Sequence, residues 1–279
     1  INARLSEKSA RGYNLIRPLV KKLLHQIEFV ACQDDSHLER FKRLGLAKDK
    51  ILALGNMKFD IDLPTEVIAQ SSKKRECWGL SDRPVWIAAS THNGEEQIIL
   101  DVFKRLKESY QDLALILVPR HPYRAAKIGK EFGDSGFSVC FESTLSQDSL
   151  LSRFDILIGD VMGSLVELYG LADIALVGGS FIKVGGHNPI EPAAYGLPIL
   201  VGPEQYNFSE VMVEFETNGG LNTVSDAVEL YKRLDFLLGS REQREKMGTA
   251  ALATIEKNKG TTEKLTELLE TRISSIVVY

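Results

Sequence analysis

Short apolar runs alternate with amphipathic segments along almost the whole chain, and this alternation is the strongest constraint on its fold. The runs are apolar at consecutive positions, which indicates strands buried on both faces. Strands of this kind, each followed by a helix, are typical of parallel sheets covered by helices on both sides. The predicted strands are 29–32, 51–54, 85–89, 113–118, 138–141, 156–158, 174–177 and 198–201.

Helices are predicted in most of the gaps, at 15–26, 34–44, 65–78, 95–109, 123–134, 163–169, 189–195, 209–217, 227–238, 241–257 and 262–274. Six predicted strands follow residues 55–64, enough for a complete doubly wound domain, whereas two precede them, too few for a stable sheet. We therefore expect residues 1–60 to be the tail of one Rossmann-like domain that begins upstream of Ile1. Residues 61–279 are expected to form a second, α/β doubly wound Rossmann-like domain. Its last helix is expected to pack either on this domain or back on the first.

A glycine-rich segment at 178–196 points to the kind of ligand. The predicted strand 174–177 leads into two pairs of glycines, and Asn188 and Pro189 are typical of a helix start. A strand, a glycine-rich loop and a helix N-terminus in this order form an anion site, because the loop allows close approach and the first-turn amides face the anion. Glu191 lies just inside the helix, where its carboxylate can accept hydrogen bonds from sugar hydroxyls. Phosphate donors beside a hydroxyl acceptor indicate a nucleotide.

Composition and charge narrow the class of protein. Hydrophobic residues make up 44% and charged residues 26%, as in globular proteins, and there is neither a membrane-length apolar run nor a signal-peptide pattern. Residues 1–58 carry 12 Lys/Arg and 6 Asp/Glu, whereas the rest carries 22 and 32. The basic first segment suits either an anionic partner or solvated helix faces. Three widely spaced cysteines favour a reducing compartment.

Polar and glycine residues follow the carboxyl ends of several predicted strands, where open α/β sheets bind ligands. The guanidinium of Arg120 suits phosphate, or equally a nearby carboxylate. Ser90 and Thr91 are expected to cap the helix at 95–109, with Glu95 and Glu96 as acids of its first turn, which is an ordinary helix start. The residues at these strand ends are Ser90, Thr91, His92, Pro119, Arg120, His121, Gly159, Asp160, Met162, Gly163, Ser164, Gly185, Gly186 and His187.

His92, His121 and His187 lie at this same predicted edge and, with Asp160, raise the question of a metal site. Their spacing matches no metal-binding motif, so we expect no metal and favour neutral hydrogen-bonding roles. Asp160 is expected either to contact a ligand or to hold its own loop. The chain lacks the P-loop, the dinucleotide fingerprint and the nucleophile elbow, and shows no basic–aromatic pattern for nucleic acid.

Taken together, these segments resemble the Kdo transferases, the 3-deoxy-D-manno-octulosonic acid transferases of lipopolysaccharide synthesis. The match runs through nearly the whole chain, with Asn93 and Ser164 standing where many relatives carry Glu. The motifs that carry it are Asn2-Ala3-Arg4-Leu5-Ser6, Gly55-Asn56-Met57-Lys58-Phe59-Asp60, Ser90-Thr91-His92, Val118-Pro119-Arg120-His121-Pro122, Gly159-Asp160-x-Met162-Gly163 and Gly185-Gly186-His187-Asn188-Pro189-x-Glu191.

The resemblance implies a GT-B glycosyltransferase, in which two Rossmann-like halves face each other across a cleft. Residues 1–60 would then belong to the acceptor domain, and 61–279 would bind the donor CMP-Kdo. The other strand-end residues named above would support the donor site, and Arg4 and Lys58 are weaker candidates for contacts with the acceptor or the Kdo sugar. By similarity, CMP would be held by Pro119, Arg120, Met162, Gly163, Ser164, Asn188, Pro189, Ile190 and Glu191.

The resemblance also implies a reaction. The expected acceptor is a lipid A precursor, lipid IVA, at the cytoplasmic face of the bacterial inner membrane, reached peripherally or through an anchor upstream of Ile1. Transfer would be inverting and metal-independent, because the helix start at Asn188 and Arg120 would stabilise the departing CMP.

The family's general base, a carboxylate, is expected upstream of Ile1, so these 279 residues are expected to bind nucleotide weakly and to transfer nothing. Two alternatives remain open: a GT-B nucleotide-sugar 2-epimerase and a non-catalytic nucleotide-binding module.

Overall fold

The computed structural model describes residues 1–145 and 153–277. The chain forms two compact units, the first from Ile1–Ile61 together with the segment that starts at Ile255, and the second from Asp62–Thr254. Within the described residues, no helix combines the length and the apolar content needed to cross a membrane.

Strands and helices alternate through both units. The strands are β1 Val30–Cys32, β2 Ile51–Ala53, β3 Val85–Thr91, β4 Ala114–Pro119, β5 Val139–Phe141, β6 Ile156–Ile158, β7 Ile174–Val177, β8 Ile199–Val201 and β9 Leu221–Thr223. The α-helices are α1 Glu7–Leu15, α2 Arg17–His25, α3 Asp35–Leu44, α4 Thr65–Cys77, α5 Glu95–Ser109, α6 Ala125–Asp134, α7 Leu165–Tyr169, α8 Ile190–Ala194, α9 Ser209–Thr217, α10 Ala227–Gly239, α11 Arg241–Asn258 and α12 Thr261–Val277.

The first unit pairs β1 and β2 in parallel, with Ala3 bridging to Cys32 at the edge. The single helix predicted at 15–26 is wrong at its start, because α1 ends where that helix should begin and α2 follows after Ile16. Ser6 caps α1 by accepting the Ser9 N–H at 3.1 Å. The sequence of α1 is polar and buries only Ala10, so it carries no apolar periodicity that would reveal a helix.

The second unit is built on a parallel sheet in the order β5-β6-β4-β3-β7-β8-β9. Side chains of β3 alternate between its two faces: Trp86 and Ala88 join the core that includes α5, α6 and α10, whereas Val85, Ile87 and Ala89 join the core on the opposite face. All five are fully buried. Continuous apolar strands therefore reflect a sheet covered on both faces, as the sequence predicts.

The sheet has seven strands rather than the six predicted after residue 60, because β9 extends it next to β8. Leu221 is the one buried residue of β9, and Asn222 and Thr223 are partly exposed. A three-residue edge strand with a single apolar position gives no pattern that sequence reasoning can recognise.

The strand order reverses at β3. Strands β4, β6 and β5 lie on one side of it, and β7, β8 and β9 lie on the other. The carboxyl ends of β3 and β7 therefore flank a topological switch point, where open α/β sheets bind ligands.

Asp60 closes the first unit by holding the start of α12. One carboxylate oxygen accepts the N–H groups of Gly260 and Thr261 at 2.7 and 3.2 Å, and the other accepts the N–H and the hydroxyl of Thr262, both at 2.5 Å. Burial raises the pKa of Asp60, but these hydrogen bonds outweigh it and bring the pKa below its ordinary value. The ionised carboxylate is therefore the form that stabilises the helix start.

Replacing Asp60 with Asn should lower the free energy of unfolding by about 1–2 kcal/mol at neutral pH, because two charged acceptors are reduced to one neutral acceptor. The stabilisation is complete above the ordinary pKa of 3.8 and is lost as the pH falls through the depressed value. Urea unfolding of both proteins at several pH values measures this, and the difference should shrink in acid. The exposed Asp49→Asn variant is the control, and an equal loss in both would contradict the assignment.

Candidate functional site

The end of β3 has a strained backbone. Ser90 has a φ of 56°, which is unusual for a residue with a side chain, and the pairing of β3 with β4 shifts between Ala89 and Thr91. Across the switch point, a Cβ on Gly178 would lie 2.9 Å from the Ser90 carbonyl oxygen. Glycine is required there because the loops after β3 and β7 approach so closely.

The buried carboxylate of Glu95 holds these two loops together. One of its oxygens accepts the N–H groups of His92 at 2.9 Å and Gly179 at 2.7 Å, and the other accepts those of Ser180 and Phe181 at 3.0 Å each. Successive N–H groups of this kind form a concave anion site. Here an internal carboxylate fills that site, so these loop amides are not available to a bound phosphate.

The expectation that Ser90 and Thr91 cap the following helix is wrong. Helix α5 begins at Glu95 with Gly94 at its N-cap, at a φ of 102°, and both predicted caps lie within β3. The Thr91 hydroxyl instead donates to Glu96 at 3.0 Å. The carboxylates of the first turn reach back to the strand end, because a sharp turn at Gly94 brings them against it.

Replacing Glu95 with Gln should reduce the free energy of unfolding by about 2–3 kcal/mol, because the amide nitrogen would face backbone donors where an oxygen now accepts. Guanidinium unfolding followed by the fluorescence of the buried Trp86 measures the loss. Glu108→Gln, at an exposed position of the same helix, is the matched control and should change little. Equal effects of the two substitutions would refute the role assigned to Glu95.

Three of the predicted histidines come together at the switch point. The Nε2 atoms of His92 and His187 are 2.8 Å apart with their rings nearly parallel, and the ring of His121 meets that of His92 edge-on at 5.9 Å. A Cβ on Gly179 would lie 2.8 Å from the His187 ring, and Gly179 itself has a φ of 67°. The glycine thus leaves room for the histidine pair.

Burial, together with repulsion by the nearby His92, Arg120 and His121, lowers the pKa of His187 to about 4. Burial likewise lowers the pKa of His92. Both imidazoles are therefore neutral near pH 7, and one Nε2–H donates to the other Nε2. Within the described residues, the ligand atoms of these histidines do not converge with a third metal-ligating group.

The free energy of unfolding of the wild-type protein should fall as the pH falls from about 6.5 to about 4. Over this range His187 is protonated in the unfolded chain but stays neutral in the folded protein. Below about 4 both states are protonated and the loss stops growing. His187→Gln should flatten this part of the profile, whereas the exposed His25→Gln should keep it. Urea unfolding across this pH range measures the stability profile. An unchanged profile in His187→Gln would contradict the conclusion that His187 is neutral in the folded protein.

After β4, the chain presents Arg120 to solvent. Pro119 ends the strand and is buried, and the Arg120 N–H donates to the Thr91 carbonyl at 2.9 Å, which fixes the backbone while the side chain stays exposed. The neighbouring His121 contacts the ring of His92 edge-on, and repulsion by the Arg120 guanidinium contributes to the lowered pKa of His187.

After β6, the chain forms a tight loop. A Cβ on Gly159 would lie 2.9 Å from side-chain atoms of both Leu168 and Val118, so packing explains this glycine. Asp160 accepts the N–H and the hydroxyl of Ser143 at 2.8 and 2.6 Å, and therefore holds the neighbouring loop. Gly163 follows with a φ of 89°, and Met162 is 80% exposed.

Ser164 is buried and its hydroxyl donates to Glu142 at 2.6 Å. Burial raises the pKa of Glu142, while Ser164 and the nearby ammonium of Lys74 oppose this rise. Sequence reasoning missed Glu142 and gave Glu95 only the role of a first-turn acid. Both are single carboxylates in ordinary contexts, and only tertiary contacts distinguish them.

Helix α8 starts one residue later than predicted, with Pro189 at its N-cap. Asn188 still acts as a cap: its Oδ1 accepts the Ile190 N–H at 3.1 Å, and its amide donates to Glu191 at 3.2 Å. Pro189 has no N–H, so the open first turn expected for a phosphate is in part occupied by the chain itself. Burial raises the pKa of Glu191, and the Asn188 hydrogen bond opposes this.

Two further glycines shape the loop before α8. Gly185 and Gly186 have φ values of 99° and 77°, and the Gly186 N–H donates to the Gly179 carbonyl at 2.8 Å. The predicted donor-site residues thus all lie in the second unit, around the carboxyl ends of β3, β4, β6 and β7. Arg4 and Lys58 lie in the first unit, and both are exposed.

Comparison with known proteins identifies the family. Residues 1–61 match the family model described as 3-Deoxy-D-manno-octulosonic-acid transferase (kdotransferase), and residues 89–254 match that of Glycosyl transferases group 1. The chain belongs to the Kdo transferase family. The fold is accordingly that of the GT-B glycosyltransferases, and the resemblance drawn from the sequence motifs is confirmed.

Kdo transferases from two bacteria illustrate the similarity. The chain is 38% identical to the 3-deoxy-D-manno-octulosonic acid transferase of Haemophilus influenzae, over 96% of this chain and 62% of that protein. It is 33% identical to the Aquifex aeolicus enzyme, over 81% of this chain and 58% of that protein. The chain therefore spans about three fifths of the length of these two Kdo transferases.

Two solved structures share the fold. The C-terminal CMP-Kdo binding domain of WaaA from Acinetobacter baumannii aligns with a TM-score of 0.64 and 29% identity, over 68% of this chain and 98% of that domain. Anabaena Alr3699/HepE in complex with UDP aligns with a TM-score of 0.55 over 98% of this chain and 71% of that chain. At 12% identity, this second likeness shows the fold alone.

Proposed function

We propose that the second unit binds CMP-Kdo at the carboxyl edge of its sheet, and that the whole protein transfers Kdo to a lipid A precursor. The observation that carries the donor assignment is the likeness to the CMP-Kdo binding domain from Acinetobacter baumannii, which extends over 98% of that domain. The predicted CMP contacts fall on loops that surround the switch point, where this fold binds ligands.

The phosphate of CMP meets its main positive charge at Arg120. Glu95 already occupies the amides of the glycine-rich loop, and Asn188 occupies the Ile190 N–H of α8. The exposed guanidinium of Arg120 offers paired donors in the planar geometry that suits phosphate oxygens. The neutral His92–His187 pair lies nearby and supplies hydrogen-bonding groups without a second fixed charge.

The nucleoside is assigned to the two loops beside Arg120. The carboxylate of Glu191 accepts hydrogen bonds from the ribose hydroxyls, and Asn188 holds it in place at 3.2 Å. The exposed side chain of Met162 forms an apolar wall for the base, while Gly163 lets the backbone approach it. Pro119 and Ser164 shape these loops from buried positions.

Transfer by the whole protein is proposed to be inverting and independent of metal. Arg120 stabilises the negative charge that develops on departing CMP, which is the role that a metal ion plays elsewhere. None of the residues placed here acts as the general base, so these 279 residues by themselves are proposed to bind donor without completing transfer.

The acceptor is proposed to be lipid IVA at the cytoplasmic face of the bacterial inner membrane. The support is electrostatic: residues 1–58 carry 12 Lys/Arg against 6 Asp/Glu, including the exposed Arg4 and Lys58, and a lipid A precursor bears anionic phosphates.

CMP should raise the melting temperature of the protein, whereas UMP, UDP and NAD should not. Arg120→Ala and Glu191→Ala should each weaken CMP binding by about tenfold or more, because each removes a hydrogen bond to a charged group. Thermal shift and calorimetric titration measure these effects.

Lys104→Ala removes an exposed charge from α5 and is the matched control, which should bind CMP as the wild type does. Stabilisation by UDP and not by CMP would instead support a different nucleotide donor.

A further inference from the structure

Two recesses open at the amino ends of the strands, at the edge of the sheet opposite to the predicted donor site. They have volumes of about 570 and 700 Å³ and share Ser81, Asp82 and Arg83. The first is lined by the segments that precede β3, β7 and β8 and by the first turn of α11. Its size is in the range of small-molecule sites.

We call the first recess the cavity, and Arg83 is its unusual residue. It is only 6% exposed, and its Nε–H donates to the Asp112 carbonyl at 2.8 Å. Its Nη1 is buried and has no hydrogen-bond partner among the residues that the structure describes. A buried cationic donor without an acceptor is costly, and in native structures such a group commonly marks a missing ion or water.

The surroundings of Arg83 compensate its charge only in part, through nearby carboxylates and the ring of Phe154, whose centroid lies 5.8 Å from the guanidinium carbon. Burial lowers the pKa of Arg83, and repulsion by Arg153 lowers it further, whereas Asp155 and Asp112 oppose the shift. A guanidinium under these conditions gains stability from any anion that reaches it, because the anion both neutralises the charge and accepts its free N–H groups.

Two other arginines of the cavity are already neutralised. The Nη2 of Arg75 donates to both carboxylate oxygens of Asp173 at 3.1 Å each, and Arg241 donates to Glu245 at 2.6 Å. These two ion pairs contribute no net charge to the cavity.

Arg244 adds a second cation to the cavity. It lines the same cavity and donates to the carbonyl oxygens of Leu237 and Leu238 at 2.6 and 2.9 Å, and within the described part of the chain no carboxylate pairs with it. The exposed Asp82 is the one remaining acid of the lining. Arg83 and Arg244 against Asp82 leave the cavity with a net positive charge, to which the N-terminal end of α11 adds.

We propose that this cavity is a second anion site, which binds a phosphate group, either inorganic phosphate or a phosphate monoester, through Arg83 and Arg244. Guanidinium groups bind phosphate oxygens through paired, charge-assisted hydrogen bonds. The site lies at the other edge of the sheet from Arg120 and Glu191, so it is independent of the proposed donor site.

The test is calorimetric titration and thermal shift with inorganic phosphate at constant ionic strength, with chloride as the reference salt. Phosphate should stabilise the wild type above chloride, and Arg83→Met, which keeps an apolar stem and removes the charge, should weaken binding at least tenfold. Arg120→Ala should keep it, because that arginine belongs to the donor edge. Binding that survives in Arg83→Met and disappears in Arg120→Ala would overturn the proposal, as would the absence of any effect above chloride.

A second variant keeps the test decisive if Arg83→Met folds poorly. Asp82→Asn changes an exposed residue and removes the acid that competes with the anion, so phosphate should bind about threefold more tightly. Unchanged or weaker binding in Asp82→Asn would contradict the site.

Titration with glycerol 2-phosphate, a phosphate monoester, distinguishes the two ligands that the proposal allows, inorganic phosphate and a monoester. Tighter binding than inorganic phosphate would assign the cavity to a monoester, and weaker binding would assign it to free phosphate.

Discussion

The arrangement of the candidate site depends on the buried carboxylate of Glu95. It accepts four backbone N–H groups, one from the loop after β3 and three from the loop after β7. These two strands are neighbours in the sheet but lie on either side of the point where the strand order reverses. Without an anion at this position, successive N–H groups would point at one another with no acceptor between them, and the loops that carry the histidine pair would separate.

The same carboxylate determines how the edge can handle a phosphate. A glycine-rich loop next to a strand normally offers its amides to the ligand. Here the carboxylate of Glu95 fills that position, which leaves the side chain of Arg120 and the neutral groups around it as the proposed phosphate contacts. The lowered pKa of His187 fits this division, because a charged imidazole beside an exposed arginine and away from water would be unfavourable.

Sequence reasoning succeeds where buried residues form a recognisable apolar pattern along the chain. The strands Val85–Thr91, Ala114–Pro119 and Ile174–Val177 are continuous apolar runs, and their order along the chain places the polar strand ends at one edge. It fails for α1 and β9, which bury one residue each, and for the cap of α5, because a carboxylate that reaches backwards looks like any first-turn acid. Tertiary contacts decide which polar groups at this edge of the sheet are free and which are already hydrogen-bonded. The local sequence does not reveal these contacts.

The hydrogen bonds between Asp60 and the start of α12 join residues 200 positions apart. The chain between them belongs to the second unit, apart from Ile61 and residues 255–259. The second unit is thus an insertion within the first in chain order. A recombinant piece that ended at Thr254 would retain all seven strands of the second unit's sheet. It would lack α12, which belongs to the first unit. Dissection of this protein into halves therefore requires a rejoined or circularly permuted chain rather than a single cut.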